Sequence, residues 1–418
     1  MSDPDLTLVH PVPAEEFDAW CRPLITAFLG APGSEGAARV MESKRGWAPE
    51  QRWGFRDRHG WVATLAVAPH RLGVPGGGDV VTEGLTNVSV AGAFRRRGLL
   101  TAMMRDWVRN ARDRQVPMLF LYAAEWPIYG RFGFAPATFT ADYEIATTGL
   151  KIAGPSTGLV REVAIEDCVA VAPGLHESAR ARRHGELART PQWWSAAYGL
   201  DGLPSPRVGG EAPPVFFAHE GEDGVDGYVT WSTVQRSQDH GDKGTIVVED
   251  LQATNIGAYL GLMRSVMSLD LVGQVRMPRR PVDELLRWYL HNGRALRTGY
   301  VGDALWLRIL DVPAALSART YASSGRVVLE VRDDTEHGLA AGRFTLTASA
   351  DGVTCERTTE ASVDVSLDQR ALAAVYLGGN TLVQMSAAGL AQEQRPDGLR
   401  DVDAMFRTVQ PPWTATLF

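Results

Sequence analysis

The sequence predicts a mixed α/β (α+β) protein of two or three consecutive domains, and three observations support that class. Its 418 residues exceed the roughly 250–300 at which a single hydrophobic core stops growing. Apolar runs of strand length alternate with stretches whose apolar residues recur at helical spacing, so neither an all-helical nor an all-strand class fits. Composition turns to Gly, Pro, Ser and Thr over 149–158, which places one boundary, and a second placed near 301–305 divides the chain at 1–150, 151–303 and 304–418.

In the first domain, Trp61 to Val67 reads as a half-buried strand, glycines 76–78 form a loop, and strand character resumes at Val80 and Val81 and again over Leu85 to Val90. Gly92, the run Arg95, Arg96 and Arg97, and Gly98 follow. A helix comes next, because Leu99, Leu100, Met103, Met104, Trp107, Val108 and Ala111 share one face while Arg105, Asp106, Arg109 and Asn110 share the other. Pro117 closes it, and Met118 to Tyr122 is a buried strand. The second domain holds a basic run over Ala179 to Arg189, Trp193 and Trp194, a strand at Gly227 to Trp231 and a helix over Ile256 to Leu269. Strands are predicted in the third at Leu305 to Leu310, Arg326 to Val331 and Gly342 to Ala348, and a helix at Leu367 to Leu377. No tandem repeat or heptad array is present.

Composition narrows the function. The chain is 45% apolar and 22% charged, as folded proteins are, and carries a net charge of −7. No global basic field draws it to nucleic acid or an anionic membrane, so any phosphate recognition is local. Cys21, Cys168 and Cys355 are too few and too dispersed for a disulfide framework or a paired-cysteine zinc site. The nine histidines include no His-Glu-x-x-His run, and Asp239-His240-Gly241-Asp242 reads as a polar turn, so no metal is expected. The first thirteen residues lack the basic segment and apolar run of a secretory signal, and no window supplies the ~18 apolar residues of a membrane span. A cytoplasmic protein with no membrane span is expected.

The stretch from Val88 to Phe134 carries the chemistry. A strand that runs through a glycine-bearing turn into a helix aims backbone N–H groups at one point, where the helix dipole favours an anion. Three arginines in that turn add charge-assisted bonds suited to a pyrophosphate. On the residues alone, a solvated basic turn capping a helix stands beside this reading, and Tyr129 between apolar neighbours also reads as a packed aromatic.

The turn resembles the coenzyme A-binding motif of the GCN5-related N-acetyltransferase (GNAT) superfamily, Arg/Gln-x-x-Gly-x-Gly/Ala, standing here as Arg95-Arg96-Arg97-Gly98-Leu99-Leu100 with Leu100 departing from the usual small residue. Downstream, Trp126 to Phe134 is similar to the tyrosine-containing helix and turn of that superfamily. Ser89 to Leu100, Ile128 to Phe134, Leu305 to Ile309 with Val312 to Leu316, and Tyr376 to Gly379 together resemble the Eis-type (enhanced intracellular survival) branch over the whole chain. The resemblance implies two tandem GNAT-like domains, the second degenerate, followed by a sterol-carrier-protein-like domain. It also implies a homohexamer and acetyl-CoA as cosubstrate.

Roles follow from the resemblance residue by residue. Val88, Ser89 and Val90 hold the acetyl and pantetheine portion, and Arg95, Arg96, Arg97, Gly98, Leu99 and Leu100 take the pyrophosphate. Tyr129 is the general acid, and the terminal carboxylate of Phe418 the base. The implied acceptor is a primary amine of a small or medium cationic molecule, aminoglycoside-like or a polyamine. Acids that aminoglycoside-acetylating members bring to their substrate are replaced here by Leu417 and by the uncharged Ile25 to Leu29, leaving Glu15, Glu16, Asp18, Glu35 and Glu42 as substitutes. Peptide lysine acetylation and a non-catalytic acyl-CoA or apolar-ligand binding protein are the alternative readings.

Overall fold

The computed structural model describes residues 5–28, 46–155, 157–200, 214–235 and 243–418. Leu29, Glu35, Glu42 and the Asp239–Asp242 turn lie outside them. Among the described residues the chain forms β1 (Thr7–Val9), β2 (Arg52–Asp57), β3 (Gly60–Gly73), β4 (Asp79–Val90), β5 (Met118–Tyr122) and β6 (Ala135–Pro136). Then come β7 (Phe139–Ala146), β8 (Leu159–Val163), β9 (Val215–Gly221), β10 (Gly224–Gln235), β11 (Gly244–Ala253), β12 (Val272–Arg280) and β13 (Leu296–Asp303). The last part supplies β14 (Leu305–Ile309), β15 (Gly325–Arg332), β16 (Gly342–Ser349), β17 (Gly352–Arg357), β18 (Val365–Asp368) and β19 (Ala391–Glu393).

Two compact units result, Met1–Ala137 with Leu305–Thr408 and Phe418, and Thr138–Ala304 with Val409–Leu417. In the first unit a sheet of order β1-β2-β3-β4-β5-β14-β6 carries the helix Leu99–Asp113 on one face. The helix buries the side predicted from periodicity, Leu99, Met103, Met104, Trp107, Val108 and Ala111, against Trp53, Leu65, Leu85, Leu119, Leu121 and Trp306. Burial of its tryptophan is compatible with a polar atom because Trp107 Nε1 donates to Glu83 Oε2 at 3.0 Å, which Arg114 also engages. The helix Phe17–Ala27 sets Phe17, Trp20 and Cys21 against Ala66, and Trp20 Nε1 donates to the Trp53 carbonyl at 2.8 Å.

The same unit contains a five-stranded sheet, β17-β16-β15-β18-β19. Its helix Gln369–Val375 is shorter than the predicted Leu367 to Leu377 because β18 runs to Asp368, whose side chain then caps the helix by accepting from Arg370 N–H. The second unit is a sheet of order β13-β7-β12-β11-β10-β9-β8. Its helix Ile256–Met267 starts where Asn255 Oδ1 accepts from Ala258 N–H.

Two strands belong to sheets that a linear division of the chain does not assign them. β7 precedes residue 150 yet pairs with β12 and β13. β14 follows residue 304 yet lies in the first sheet between β5 and β6, all five of its residues buried. An apolar run buried on both faces and bonded on both edges carries no sign of which sheet it joins. Among the described residues no helix is long and apolar enough to cross a membrane.

Because β14 completes the first sheet, Leu307→Ala, at a position with no solvent exposure, is expected to cost about 2–5 kcal/mol. Denaturant unfolding of the full chain measures it, and a loss below about 1 kcal/mol contradicts the integral placement of this strand.

Candidate active site

β4 keeps β3 as an antiparallel neighbour through Val90 but pairs with β5 over Thr82–Leu85 alone. Beyond Leu85 the two parallel strands part. The break coincides with a β-bulge: the β3 register shifts between Thr64 and Ala66, and Asn87 opposite it has φ 53°. Thr64 Oγ1 fastens the bulge, donating to the Asn87 carbonyl at 2.7 Å and lying 2.7 Å from Ser89 Oγ. Ser89 thus spends its side chain on the sheet. Ala91 N–H bonds the Val62 carbonyl of β3 at 2.8 Å, and strand alternation therefore turns the Val90 N–H to the opposite, open edge. Val88 sits in the bulge where the strands separate.

The chain then makes a tight turn in which Arg96 (φ 63°) and Gly98 (φ 81°) both take left-handed backbone. A Cβ at Gly98 would meet nothing within 4 Å, so the glycine answers the backbone angle and not a lack of space. As N-cap of the helix Leu99–Asp113, Gly98 offers no side-chain acceptor, which leaves the first-turn amides available to a ligand. Arg95, Arg96 and Arg97 are exposed around them; Arg95 Nε reaches the Val90 carbonyl at 3.5 Å and Arg97 lies over the Phe94 ring at 5.0 Å. Leu99 is buried and Leu100 half-buried on the core side, so these two contribute backbone only.

Tyr129 ends the short helix Trp126–Tyr129 and belongs to the core cluster against which Val88, Val90, Phe94 and Leu100 pack. The phenol and the strand and turn residues thus share one core cluster with the helix Leu99–Asp113. Burial, with the exposed Glu125 carboxylate second, pushes the Tyr129 phenol up to about 12. Gly133 (φ 80°) lets the following turn reverse against Gln369, whose side-chain amide occupies the place of a Cβ.

The Phe418 ring lies on the opposite face of the same sheet strands, 4.9 Å from His70 on β3, 4.9 Å from Phe120 and 5.9 Å from Tyr122 on β5. Gly84 on β4 makes the seat: a Cβ there would stand 2.6 Å from Phe418 Cε2. Gly84, His70, Phe120 and Tyr122 were absent from the candidates read in sequence. A glycine inside a strand run was the available signal, since such glycines mark close approach by another group. Of the acids suggested as substitutes toward a cationic acceptor, Glu16 is taken by Arg56 at 3.0 Å. Glu125, beside Tyr129, was also missed.

Residues 9–137 and 185–309 each match the family described as acetyltransferase (GNAT) domain, and residues 312–415 match the sterol carrier protein domain. An uncharacterized N-acetyltransferase of Streptomyces avermitilis is 36% identical over the full length of both chains. The N-acetyltransferase Eis of Mycobacterium bovis is 32% identical over 83% of each. Among solved structures, Eis1 from Mycobacterium abscessus superposes with a TM-score of 0.82 at 30% identity, covering 99% of this chain and 100% of that one. A GNAT protein of Anabaena variabilis shares the fold, with a TM-score of 0.84 at 20% identity over 99% and 100%.

Gly84→Ala is expected to expel the Phe418 ring, costing about 1–3 kcal/mol from overpacking and exposing the terminus. A lower melting temperature together with faster release of Phe418 by carboxypeptidase checks this; unchanged release contradicts it.

Proposed function

The chain belongs to the Eis-type branch of the GNAT acetyltransferase family, and on that premise we propose that it moves the acetyl group of acetyl-CoA to a primary amine of a small or medium cationic acceptor, aminoglycoside-like or a polyamine. The observation that carries this reading is the parting of β4 from β5 above a glycine-capped, arginine-rich turn. An extended pantetheine arm can replace the missing strand by bonding the open edge at Val90, while the amides of the turn and the guanidinium groups of Arg95 and Arg96 take the pyrophosphate. The proposed assembly is a homohexamer, as the resemblance implies.

The acceptor must attack as a neutral amine. The proposed base is the terminal carboxylate of Phe418, which orients the ammonium form and relays its proton. The N–C bond forms as the C–S bond breaks, and the proton lost by nitrogen ends on the departing sulfur in the net reaction. Tyr129, with its phenol at about 12, stays protonated throughout. Complete transfer of its proton to a thiolate of ordinary pKa ~8.5 runs uphill by roughly 5 kcal/mol, so its contribution is a hydrogen bond to the charge developing on sulfur. Glu125 is the exposed acid next to this site and favours a cation there.

A thiol-release assay over aminoglycosides, polyamines and lysine peptides tests the acceptor. Turnover of the free amines is expected; turnover of peptide lysines alone replaces the acceptor class, and no release with any amine despite tight acetyl-CoA binding overturns the reaction. Tyr129→Phe is expected to lower kcat about 10²–10³-fold with little change in KM for acetyl-CoA. Deleting Phe418 is expected to abolish transfer.

The raised phenol also fixes a pH dependence. A group at about 12 keeps its protonated form below that value, so kcat should rise as the amine deprotonates and then hold to about pH 11. A decline setting in near pH 10, where an ordinary tyrosine titrates, contradicts the buried donor.

A further inference from the structure

The second unit repeats the strand arrangement of the catalytic sheet. β11 pairs with β12 in parallel over Gly244–Val247 alone, just as β4 pairs with β5, and beyond that point the strands part. Here the gap is not left open. The small cavity between the strand ends, about 240 Å³, is lined by Asp250 of β11 and Arg279 of β12 and walled by Trp413, Ala415 and Leu417 of the carboxy-terminal segment.

That segment is held by a dense set of bonds. Glu186, 4% exposed, accepts from Thr414 Oγ1 at 2.9 Å, Ala415 N–H at 2.7 Å and Thr416 N–H at 3.2 Å. Arg189, with a fully buried side chain, donates to Thr416 Oγ1 at 2.9 Å and pairs with Asp250 at 2.5 Å. Trp193 and Trp194 flank its guanidinium at 4.1 and 5.0 Å. Burial opposes ionisation of Glu186, yet the neighbouring His176 and Arg189 charges and the bonds from the segment outweigh it and hold the carboxyl below its usual range. Trp413 Nε1 donates to the Arg279 carbonyl at 2.9 Å. Gly185 (φ +94°) admits the segment, since a Cβ there would lie 2.9 Å from Trp413 N.

We propose that the strand gap of the second unit, topologically the counterpart of the cofactor slot, is the seat of the protein's own carboxy-terminal segment, and that Glu186 and Arg189 are positioning residues which act on acetyl transfer by fixing Thr414 to Thr416. Phe418 lies two peptide bonds past Thr416, so fixing the segment narrows the places that the proposed base can reach. The catalytic half of this proposal rests on the assignment of Phe418 as base. It makes the degenerate domain a part of the catalytic apparatus without requiring it to bind acetyl-CoA.

The test compares Glu186→Gln, Thr416→Val and deletion of Phe418 in the full chain. Glu186→Gln sets an NH₂ against the N–H groups of the segment, and Thr416→Val leaves Arg189 Nε without its acceptor at nearly constant volume. Both are expected to lower kcat by about tenfold or more while KM for acetyl-CoA holds within about twofold, and to speed carboxypeptidase release of Phe418. Wild-type kcat in both substitutions, when deletion of Phe418 abolishes transfer, would overturn the positioning role and leave the base assignment standing. Reduced kcat with unchanged release of Phe418 would overturn it as well, because the effect would not pass through the segment. Wild-type kcat on deletion of Phe418 defeats the base assignment itself. Should Glu186→Gln fail to fold, Thr416→Val, made on the segment itself, decides alone.

Discussion

Beyond Leu85, β4 continues for five residues without β5 beside it, and the rest of the site depends on that separation. Backbone N–H groups on an unpaired strand edge in an otherwise bonded sheet need partners. The bulge at Asn87 prevents the edge from closing again, because one extra residue on β4 redirects the strand while Thr64 locks the distortion. The separation then delivers the chain to the Arg95–Gly98 turn at an angle that only left-handed backbone at Arg96 and Gly98 can absorb. Edge, turn and helix amides therefore converge because of one local failure of pairing.

Both ends of the carboxy-terminal segment are seated by glycine. Gly84 makes room for the Phe418 ring and Gly185 for Trp413, and in each case the missing side chain is replaced by a close approach of another part of the chain. Such approaches need a rigid backdrop. Gly84 has it in the middle of β4, bonded on both sides, whereas Gly185 has it in the loop whose Glu186 and Arg189 are fully bonded and buried. A carboxylate gains little as a base unless it is held where it acts, so under the proposed reaction the ordering of the segment is what matters.

How much of this was legible in sequence depends on how local the cause was. The helix Leu99–Asp113 buries the residues its periodicity named, because amphipathic spacing is read within one element. The turn residues were equally plain. The sheet memberships of β7 and β14 were not, since β14 finds β5 across nearly half the chain and nothing in Leu305 to Ile309 encodes that partner. Gly84 and Gly185 were invisible for a related reason: the group that each must admit lies far away in sequence. Nor did the motif that brings Tyr129 show how deeply it is buried, in a core cluster where its ring meets Phe134 edge-on.

That burial changes what a tyrosine can contribute. A phenol at about 12 is a poorer proton donor than one at its ordinary ~10, yet it is a donor that never vanishes over the range in which an amine loses its proton. Acylation itself releases a proton from nitrogen, so the reaction carries its own supply for the sulfur and asks of the enzyme only that charge be stabilised while the proton is in transit. A fixed hydrogen bond in a site of low polarity does this with little reorganisation. Glu125 raises the phenol further, and under the proposed reaction the same field favours a cationic acceptor. Under the proposed reaction one carboxylate would act on both the phenol and a cationic acceptor, while burial, the larger cause, keeps the phenol raised.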